Sequence, residues 1–494
     1  MGFGYGSGAY VPRSWISRIL NYIIMKHLVS ILFIGLIVGL SSCQSEIEQA
    51  DSLRLQNKFD EAAKLYQKLS DEGNAYAMWR LSIAYSNGDG VDFDQEKALT
   101  LLKNAAGHGC EEAKGDLAEA YMLGQLGIVK DTAKGKNMLE KLVNKSNNSY
   151  IQSKYAGFLL FGPDDLFEKN PEKGLRILKE VKDKTDPHYL YIMGGVYMFG
   201  IENIDKDLKK SIEYYTKSFE KGKRYSSCII ADILFTKKYK DVYNKEKGIE
   251  WLKKGVESNS TDAMLMLSNI YMVSEDDVDY DEFKSYKNIG KGLDLLQKAA
   301  NHGDGEAYFQ LGNEYYNGEN VDKDDNKFFE YSKKSFDLGY AGGANNLGAA
   351  YMNGIGCEKD IKKAIAIWEK AVKFGSGYAA KNLYYLFKFG KPNEIPINYN
   401  REKAKYYLLQ GAKLNEPDAW IALSFEYYPG GELFEQDLEQ AYVYAKKSAD
   451  AGNIDGCERV AYLLDKGIGC KRNPQKAQEY RAMYEVNKNN EKDK

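Results

Sequence analysis

The sequence predicts an all-α protein, a right-handed solenoid of about eleven to twelve helix–turn–helix repeats. Three observations predict it: a short motif that recurs at near-constant spacing, a helix-capping residue at a fixed distance after each copy, and a glycine that ends the helix so capped. The motif is an apolar residue, a small one, two of any type, a tyrosine or other large apolar residue, two more and a glycine. Leu81-Ser82-x-x-Tyr85-x-x-Gly88 is the first clear copy, and Leu117-Ala118, Met193-Gly194, Leu311-Gly312 and Leu347-Gly348 open others around Tyr121, Tyr197, Tyr315 and Tyr351. Leu159, Leu234, Tyr271, Phe387, Tyr427 and Leu464 hold the same position in weaker copies, with steps of 36 to 44 residues.

After each glycine and a short loop stands Asp or Asn, then two residues, then usually Lys and a small residue. Asp94, Asp131, Asn170, Asp207, Asn244, Asn288, Asp324, Asp360, Asn400, Asp437 and Asn473 hold the capping position. Their side-chain oxygens accept a backbone N–H that the first helical turn leaves unpaired. Pro171 and Pro474 follow their Asn at the first helical position, where proline is tolerated. Gly73, Gly109, Gly222, Gly303, Gly339, Gly375 and Gly452 supply the stop. Between cap and stop the apolar residues keep helical spacing, as in Ala98, Leu101, Leu102, Ala105 and in Ala364, Ile367, Trp368, Ala371. Each pair leaves an apolar side bare until the next pair covers it.

The period, together with loops such as Gly88-Asp89-Gly90-Val91 and Gly354-Ile355-Gly356-Cys357, resembles the Sel1-like repeat family, relatives of the tetratricopeptide repeats with a longer loop between the two helices. The resemblance covers Ala75 to Tyr480. It divides the chain into an N-terminal segment 1–43, a tetratricopeptide-like first pair at 44–72, a repeat array at 73–486 and a polar, disordered tail at 487–494. The copies at 159, 234 and 271 lack the loop glycines, and the acidic stretch Met272 to Asn288 is expected to protrude.

The N-terminus carries a separate signal. Leu28 to Leu40 is an apolar run with the length of a signal-peptide core, too short to span a bilayer comfortably. Lys26 precedes it, and Leu40-Ser41-Ser42-Cys43 follows. This resembles a bacterial lipobox, which implies that Cys43 is lipidated and that Met25 is the true start. The expected location is the bacterial cell envelope, lipid-anchored, at the outer membrane. The other five cysteines, Cys110, Cys228, Cys357, Cys457 and Cys470, cannot all pair within one chain and are expected to be buried thiols.

Composition narrows the function. With 68 basic and 71 acidic residues there is no basic excess for nucleic acid. Histidine occurs four times, and no CxxC or HExxH spacing appears, so no metal and no cofactor are expected. Asp322-x-Asp324-x-Asn326 opens like a calcium loop, but Lys327 stands where glycine belongs and Lys333 where glutamate belongs; Asp324 is read as a cap. β-lactam chemistry has been attached to cysteine-rich members of the family, but this chain lacks regular cysteine pairs and shows no recurring Ser-x-x-Lys site, so no catalytic residue is assigned.

What remains is surface. Met122, Met198, Met272 and Met352 follow the repeat aromatic by one place, and Tyr316 and Tyr428 hold the equivalent position. They are either ordinary packing or an exposed stripe for protein or peptide ligands. The expected function is a membrane-anchored, non-enzymatic scaffold for protein–protein interaction. The alternatives are a cell-wall or β-lactam-related enzyme and a peptidoglycan or carbohydrate binder.

Overall fold

A computed structural model describes residues 44–163, 166–275, 280–373, 375–390 and 399–492, with side chains as far as residue 485. Cys43 and the apolar run before it lie outside the described residues. The described chain is helical, and its only strand-like pairing is a single bridge between Ile201 and Ile204.

An N-terminal pair, 44–55 and Phe59–Asp71, precedes eleven repeats, numbered here 1 to 11. The first, or A, helices are Ala75–Asn87, Glu111–Leu123, Ser149–Phe161, Pro187–Phe199, Ser226–Phe235, Thr261–Tyr271, Gly305–Asn317, Ala341–Asn353, Gly377–Phe389, Pro417–Glu426 and Ile454–Lys466. The second, or B, helices are Gln95–Gly107, Thr132–Val143, Pro171–Glu180, Leu208–Glu220, Lys245–Glu257, Ile289–Asn301, Asp325–Asp337, Ile361–Lys373, Arg401–Lys413, Leu438–Asp450 and Pro474–Lys492. The last of these runs on into the stretch expected to be a polar tail.

Each B helix starts where its cap stands. The side chains of Asp94, Asp131, Asn170, Asp207, Asn244, Asn288, Asp324, Asp360, Asn400, Asp437 and Asn473 all accept the backbone N–H three residues on. That donor often belongs to the recurring lysine, and the structure shows why lysine recurs. Its ammonium lies over the ring of the repeat tyrosine: Lys97 over Tyr85 at 4.0 Å, Lys134 over Tyr121 at 3.7 Å and Lys327 over Tyr315 at 4.3 Å. One residue thus opens the helix and covers the aromatic of its partner helix.

The small residue of the motif makes room for a large one on the B helix. The ring of Tyr215 lies against Gly194, and Trp368 lies so close to Gly348 that a methyl group there would sit 2.2 Å from its indole nitrogen. The second loop glycine serves stacking between repeats. Gly356 has φ +65°, and a Cβ on it would fall 1.9 Å from the carbonyl oxygen of Asp325 at the start of the preceding B helix. Only glycine lets that loop settle on its neighbour.

The stretch after Met272 does not simply protrude. Its described end forms a short helix, Tyr280–Phe283, and a 3-10 turn, Lys284–Tyr286. Phe283 is buried edge-on against Phe235, 5.2 Å between centroids, and Glu282 accepts from the Tyr243 hydroxyl at 2.9 Å and the Lys237 ammonium at 2.6 Å. The apolar Phe283 folds back to cover repeat 5, which lacks its loop glycines.

The solenoid returns to itself near its start. The A–B loop of repeat 1 meets the turns that end B helices in repeats 4, 5 and 6. Arg224 pairs with both carboxylate oxygens of Asp89, one at 3.0 Å, and Asn259 Nδ2 donates to Asp89 at 3.3 Å. His302 Nδ1 donates to the Asn87 carbonyl at 2.7 Å, and the ring of Phe93 fills the space beside Gly303. One superhelical turn therefore closes in about five repeats. No described helix is long and apolar enough to cross a membrane.

Candidate functional site: the chamber inside the first turn

Closing that turn encloses a cavity of about 610 Å³. Its wall comes from A helices in sequence: Tyr76, Trp79 and Arg80 of repeat 1, Glu112 of repeat 2, Tyr150 of repeat 3, His188 of repeat 4 and Asp262 of repeat 6. The A helices thus face inward. A second cavity of about 570 Å³ adjoins it, shares His188, Lys223 and Tyr225, and is bounded by aromatic side chains such as Phe161, Tyr191 and Tyr215 together with Glu119, Lys154 and Asp232.

The wall is a continuous ladder of rings and charges. Tyr76 meets Trp79 edge-on at 5.3 Å, Trp79 meets Tyr150 at 5.7 Å, and Tyr150 meets His188 at 4.4 Å. The Arg80 guanidinium lies 4.5 Å from the Trp79 ring and donates to the Tyr76 hydroxyl at 2.8 Å. Asp51 of the N-terminal pair accepts from Tyr66 at 2.6 Å and from Tyr76 at 2.9 Å, and faces Arg80 at 3.1 Å. Asp116 on repeat 2 binds its neighbours on both sides: it accepts from Trp79 Nε1 of repeat 1 at 2.7 Å and, on repeat 3, from Lys154 at 2.7 Å and from the Tyr150 hydroxyl. Lys154 also pairs with Glu119.

These groups perturb one another in a consistent direction. Burial opposes the charge on Asp116, but Lys154 and the donors from Tyr150 and Trp79 outweigh it and hold its pKa below the usual carboxylate value. Burial likewise opposes the charge on Lys154, and Asp116 and Glu119 outweigh it, so that its pKa lies well above the usual one. His188 is different. Burial first, then the charges of Lys223 and Lys154, push its pKa well below 6.5, so the ring is neutral and accepts from Lys223 Nζ at 3.3 Å. Lys223 is itself lowered, by burial and then by Lys154. Burial raises Asp186 and Asp262.

Its carboxylates mostly accept from fixed donors, and its rings meet one another edge-on or tilted. Among the five described cysteines no disulfide forms; Cys228 and Cys457 are buried, while Cys110, Cys357 and Cys470 are half-buried rather than buried as expected. Burial pushes the Cys110 and Cys228 thiols up to about 12, far from a nucleophilic thiolate. Among the described residues no group of His, Cys, Asp and Glu is arranged to hold a metal ion.

The residues singled out one place after the repeat aromatic lie elsewhere. Met122 and Met352 are buried, so of the two alternatives ordinary packing holds at those positions and an exposed stripe of all six does not form. Met198, Met272 and Tyr428 are half-buried, and Tyr316 is exposed. The physical reason is direction. A step of one residue turns the side chain about 100°, and here the turn is toward the repeat's own B helix. Met122 lies over Gly135, Met272 over Gly292, and the Tyr316 ring sits 4.9 Å from that of Phe328. The inward positions fall two, five and nine residues before the repeat aromatic, where Glu119, Asp116 and Glu112 stand in repeat 2. Periodicity of charged and aromatic residues at those offsets was the signal available. His188 is placed there by the same offset of nine, before Tyr197.

Comparison with known proteins bears on the same architecture. The Sel1 repeat family model matches residues 55–74, 75–110, 112–147, 187–223, 240–260, 261–304, 305–340, 341–373, 378–416, 418–453 and 454–480. It passes over 148–186, although the structure forms an ordinary helix pair there. The chain is similar to the chitin synthase regulator SKT5 of Saccharomyces cerevisiae, 25% identical over 60% of this chain and 42% of that one. It is also similar to chitin synthase regulatory factor 3 of Schizosaccharomyces pombe, 22% identical over 32% of this chain and 17% of that one. It therefore spans less than half the length of either relative. Among solved structures, the protective antigen c5321 of uropathogenic Escherichia coli matches with a TM-score of 0.40 at 21% identity, over 87% of this chain and 90% of that one. A Sel1 repeat protein from Oxalobacter formigenes matches with a TM-score of 0.41 at 22% identity, over 49% of this chain and 94% of that one.

Proposed function

The chain belongs to the Sel1 repeat family, and on that footing we propose that it is a lipid-anchored scaffold of the bacterial envelope that holds a protein partner on the inner face of its superhelix. The chamber of the first turn carries the reading. A closed ring presents aromatic faces and charged groups at fixed positions, and fixed positions lower the ordering cost of binding. Most of its polar groups are hydrogen-bonded, Arg54 Nε being an exception, so partner side chains meet a largely preformed surface. The yeast relatives are named as regulators of chitin synthase, and regulation of another protein suits a chain that acts by docking. The anchor rests on Leu40-Ser41-Ser42-Cys43 after an apolar run of signal-peptide length.

Two measurements in cells test the two halves. A photo-crosslinking residue in place of Tyr225, which lines the chamber and is exposed, should yield one discrete protein adduct in membranes. The same residue at exposed Lys103 on a B helix should not. Equal adducts from both sites, or none from the chamber, reject the docking face. Cys43→Ser should move the chain out of the detergent phase; retention there rejects the lipid anchor.

A further inference from the structure

The inner face of repeats 7–11 carries polar groups with hydrogen-bonding capacity to spare beside paired ones such as Asp418, which accepts from Lys381 and Asn453 at 2.7 Å each. Asn346 Nδ2 donates to Asn313 Oδ1 at 2.7 Å, and Asn382 Nδ2 donates to Asn345 Oδ1 at 2.6 Å, each bond crossing from one A helix to the next. A carboxamide has two donors and an acceptor with two lone pairs. Each pair therefore keeps a spare N–H donor and a spare carbonyl acceptor, on half-buried side chains of the inner face.

Further along, Arg459 has no carboxylate partner among the described residues. Its guanidinium lies 4.4 Å from the Phe425 ring centroid, 4.2 Å from Tyr428 and 5.9 Å from Tyr462. Its Nε and Nη2 are buried and donate to nothing. Burial lowers its pKa, and only the Tyr428 and Tyr462 hydroxyls act against that. Beside it the position two before the repeat aromatic is filled three times running by an exposed ring: Tyr385 at 41%, Phe425 at 52% and Tyr462 at 42% exposure.

We propose that the inner face of repeats 7–11 binds an extended peptide of the partner protein, with its main chain on the asparagine pairs, apolar side chains on the three rings, and a carboxylate at Arg459. The proposal rests on the docking reading above and names the chemistry of the docked segment. A peptide unit offers one N–H and one C=O in a plane, the complement of what each asparagine pair leaves over. Packed helices lie about 8–10 Å apart, and an extended chain advances about 3.3 Å per residue, so each repeat takes up roughly three residues. A carboxylate entering beside the exposed Tyr462 ring supplies the acceptor that Arg459 lacks, in the planar geometry a guanidinium favours. A neutral glycan also suits amides and rings, but it leaves the guanidinium without its anion.

The test uses the full chain carrying Cys43→Ser, so it is independent of membrane anchoring. A phage-displayed library of random dodecapeptides is panned on it, and the selected sequence is made with fluorescein and, separately, with its acidic residue changed to the amide. Selected peptides should carry Asp or Glu next to aromatic or proline residues. Anisotropy should show at least tenfold weaker binding to Arg459→Gln, with Arg459→Lys in between, and a similar loss for the amide peptide. The Asn346→Ala/Asn382→Ala double variant should lose at least fivefold with its circular dichroism unchanged; it decides the matter should Arg459→Gln disturb repeat 11. Three results overturn the proposal: no enrichment over protein-free beads, equal binding to both Arg459→Gln and the asparagine double variant, or displacement of the peptide by soluble peptidoglycan strands. Failure here leaves the crosslinking and fractionation results standing, so it is distinguishable from failure of the docking reading on which it rests.

Discussion

The first turn and the last three repeats follow the same repeat rule and end as different surfaces. In the first turn the inner positions carry Tyr76, Trp79, Arg80, Asp116, Tyr150, Lys154 and His188, and these groups mostly bind one another. In repeats 9–11 the same offsets carry Tyr385, Phe425, Tyr462 and Arg459, with the three rings partly exposed and the Arg459 Nε and Nη2 donors unused, beside the paired Asp418. The cap, the lysine over the tyrosine and the small residue under a large one hold in both regions. What differs is confined to the inward offsets. A solenoid fixes its stacking with a few positions per repeat and leaves the inner face to diverge, so one end can be a rigid ring and the other an open groove.

The largest expected effect breaks the first turn alone. Asp116→Ala removes a carboxylate that joins repeats 1, 2 and 3, and leaves Lys154 half-compensated and the Trp79 N–H unpaired. Removing one partner of a buried pair costs about 3–5 kcal/mol. Because a repeat touches chiefly its neighbours, the loss should stay local. Hydrogen exchange should show repeats 1–3 opening early while the amides of repeats 9–11 keep their protection. Uniform loss along the chain would mean that the two regions fold as one unit.

A smaller effect should separate closure from folding. Asp89→Ala cuts the bond to Arg224 and the contact from Asn259 without touching the core of any repeat. Hydrogen bonds to charged groups contribute about 1.5–3 kcal/mol, and here they hold the ring shut. The helical signal should persist while small-angle scattering reports a longer particle. An unchanged scattering profile would show that repeat stacking alone sets the curvature.

The repeat frame was legible in the sequence and the inner face was not, for a physical reason. Caps such as Asp94 and Asn473 act on the backbone three residues away, so their pattern is local and readable. The small residue of the motif was equally readable, but its partner, such as Tyr215 against Gly194 on the other helix of the same repeat, came only from the structure. The superhelical closure joins Asp89 to Arg224 and Asn87 to His302. No local pattern encodes such a contact, because it depends on the small rotation accumulated over several repeats. Sequence left the methionines open between packing and an exposed stripe, and direction decides it: the residue after the repeat aromatic turns toward the B helix, so Met122 and Met352 are core. His108 and His302 share a repeat position, yet His108 bonds only its own helix, at the Asn104 carbonyl, while His302 bonds another turn. Equal sequence context gave unequal roles because only one of them lies under the first loop.

The smallest effect distinguishes the two regions by pH. His188 titrates well below its ordinary value of 6.5 because it is buried and faces Lys223 and Lys154, with Asp186 two residues before it. In the unfolded chain it takes up a proton as pH falls through 6.5; in the folded chain it does not. Between those two pKa values the unfolded state binds more protons, so stability rises with pH and falls on acidification. The slope from one such group approaches about 1.4 kcal/mol per pH unit, and the raised carboxyls of Asp186 and Asp262 act in the opposite sense. Urea midpoints between pH 6.5 and 5.5 should therefore fall for the first turn, followed through local hydrogen exchange, and His188→Gln should flatten that fall. Repeats 8–11 contain no histidine, so their protection should not change over the same range. A His188→Gln chain with the same pH slope as the parent would show that the ring stays solvated and that the chamber is less closed than its walls imply.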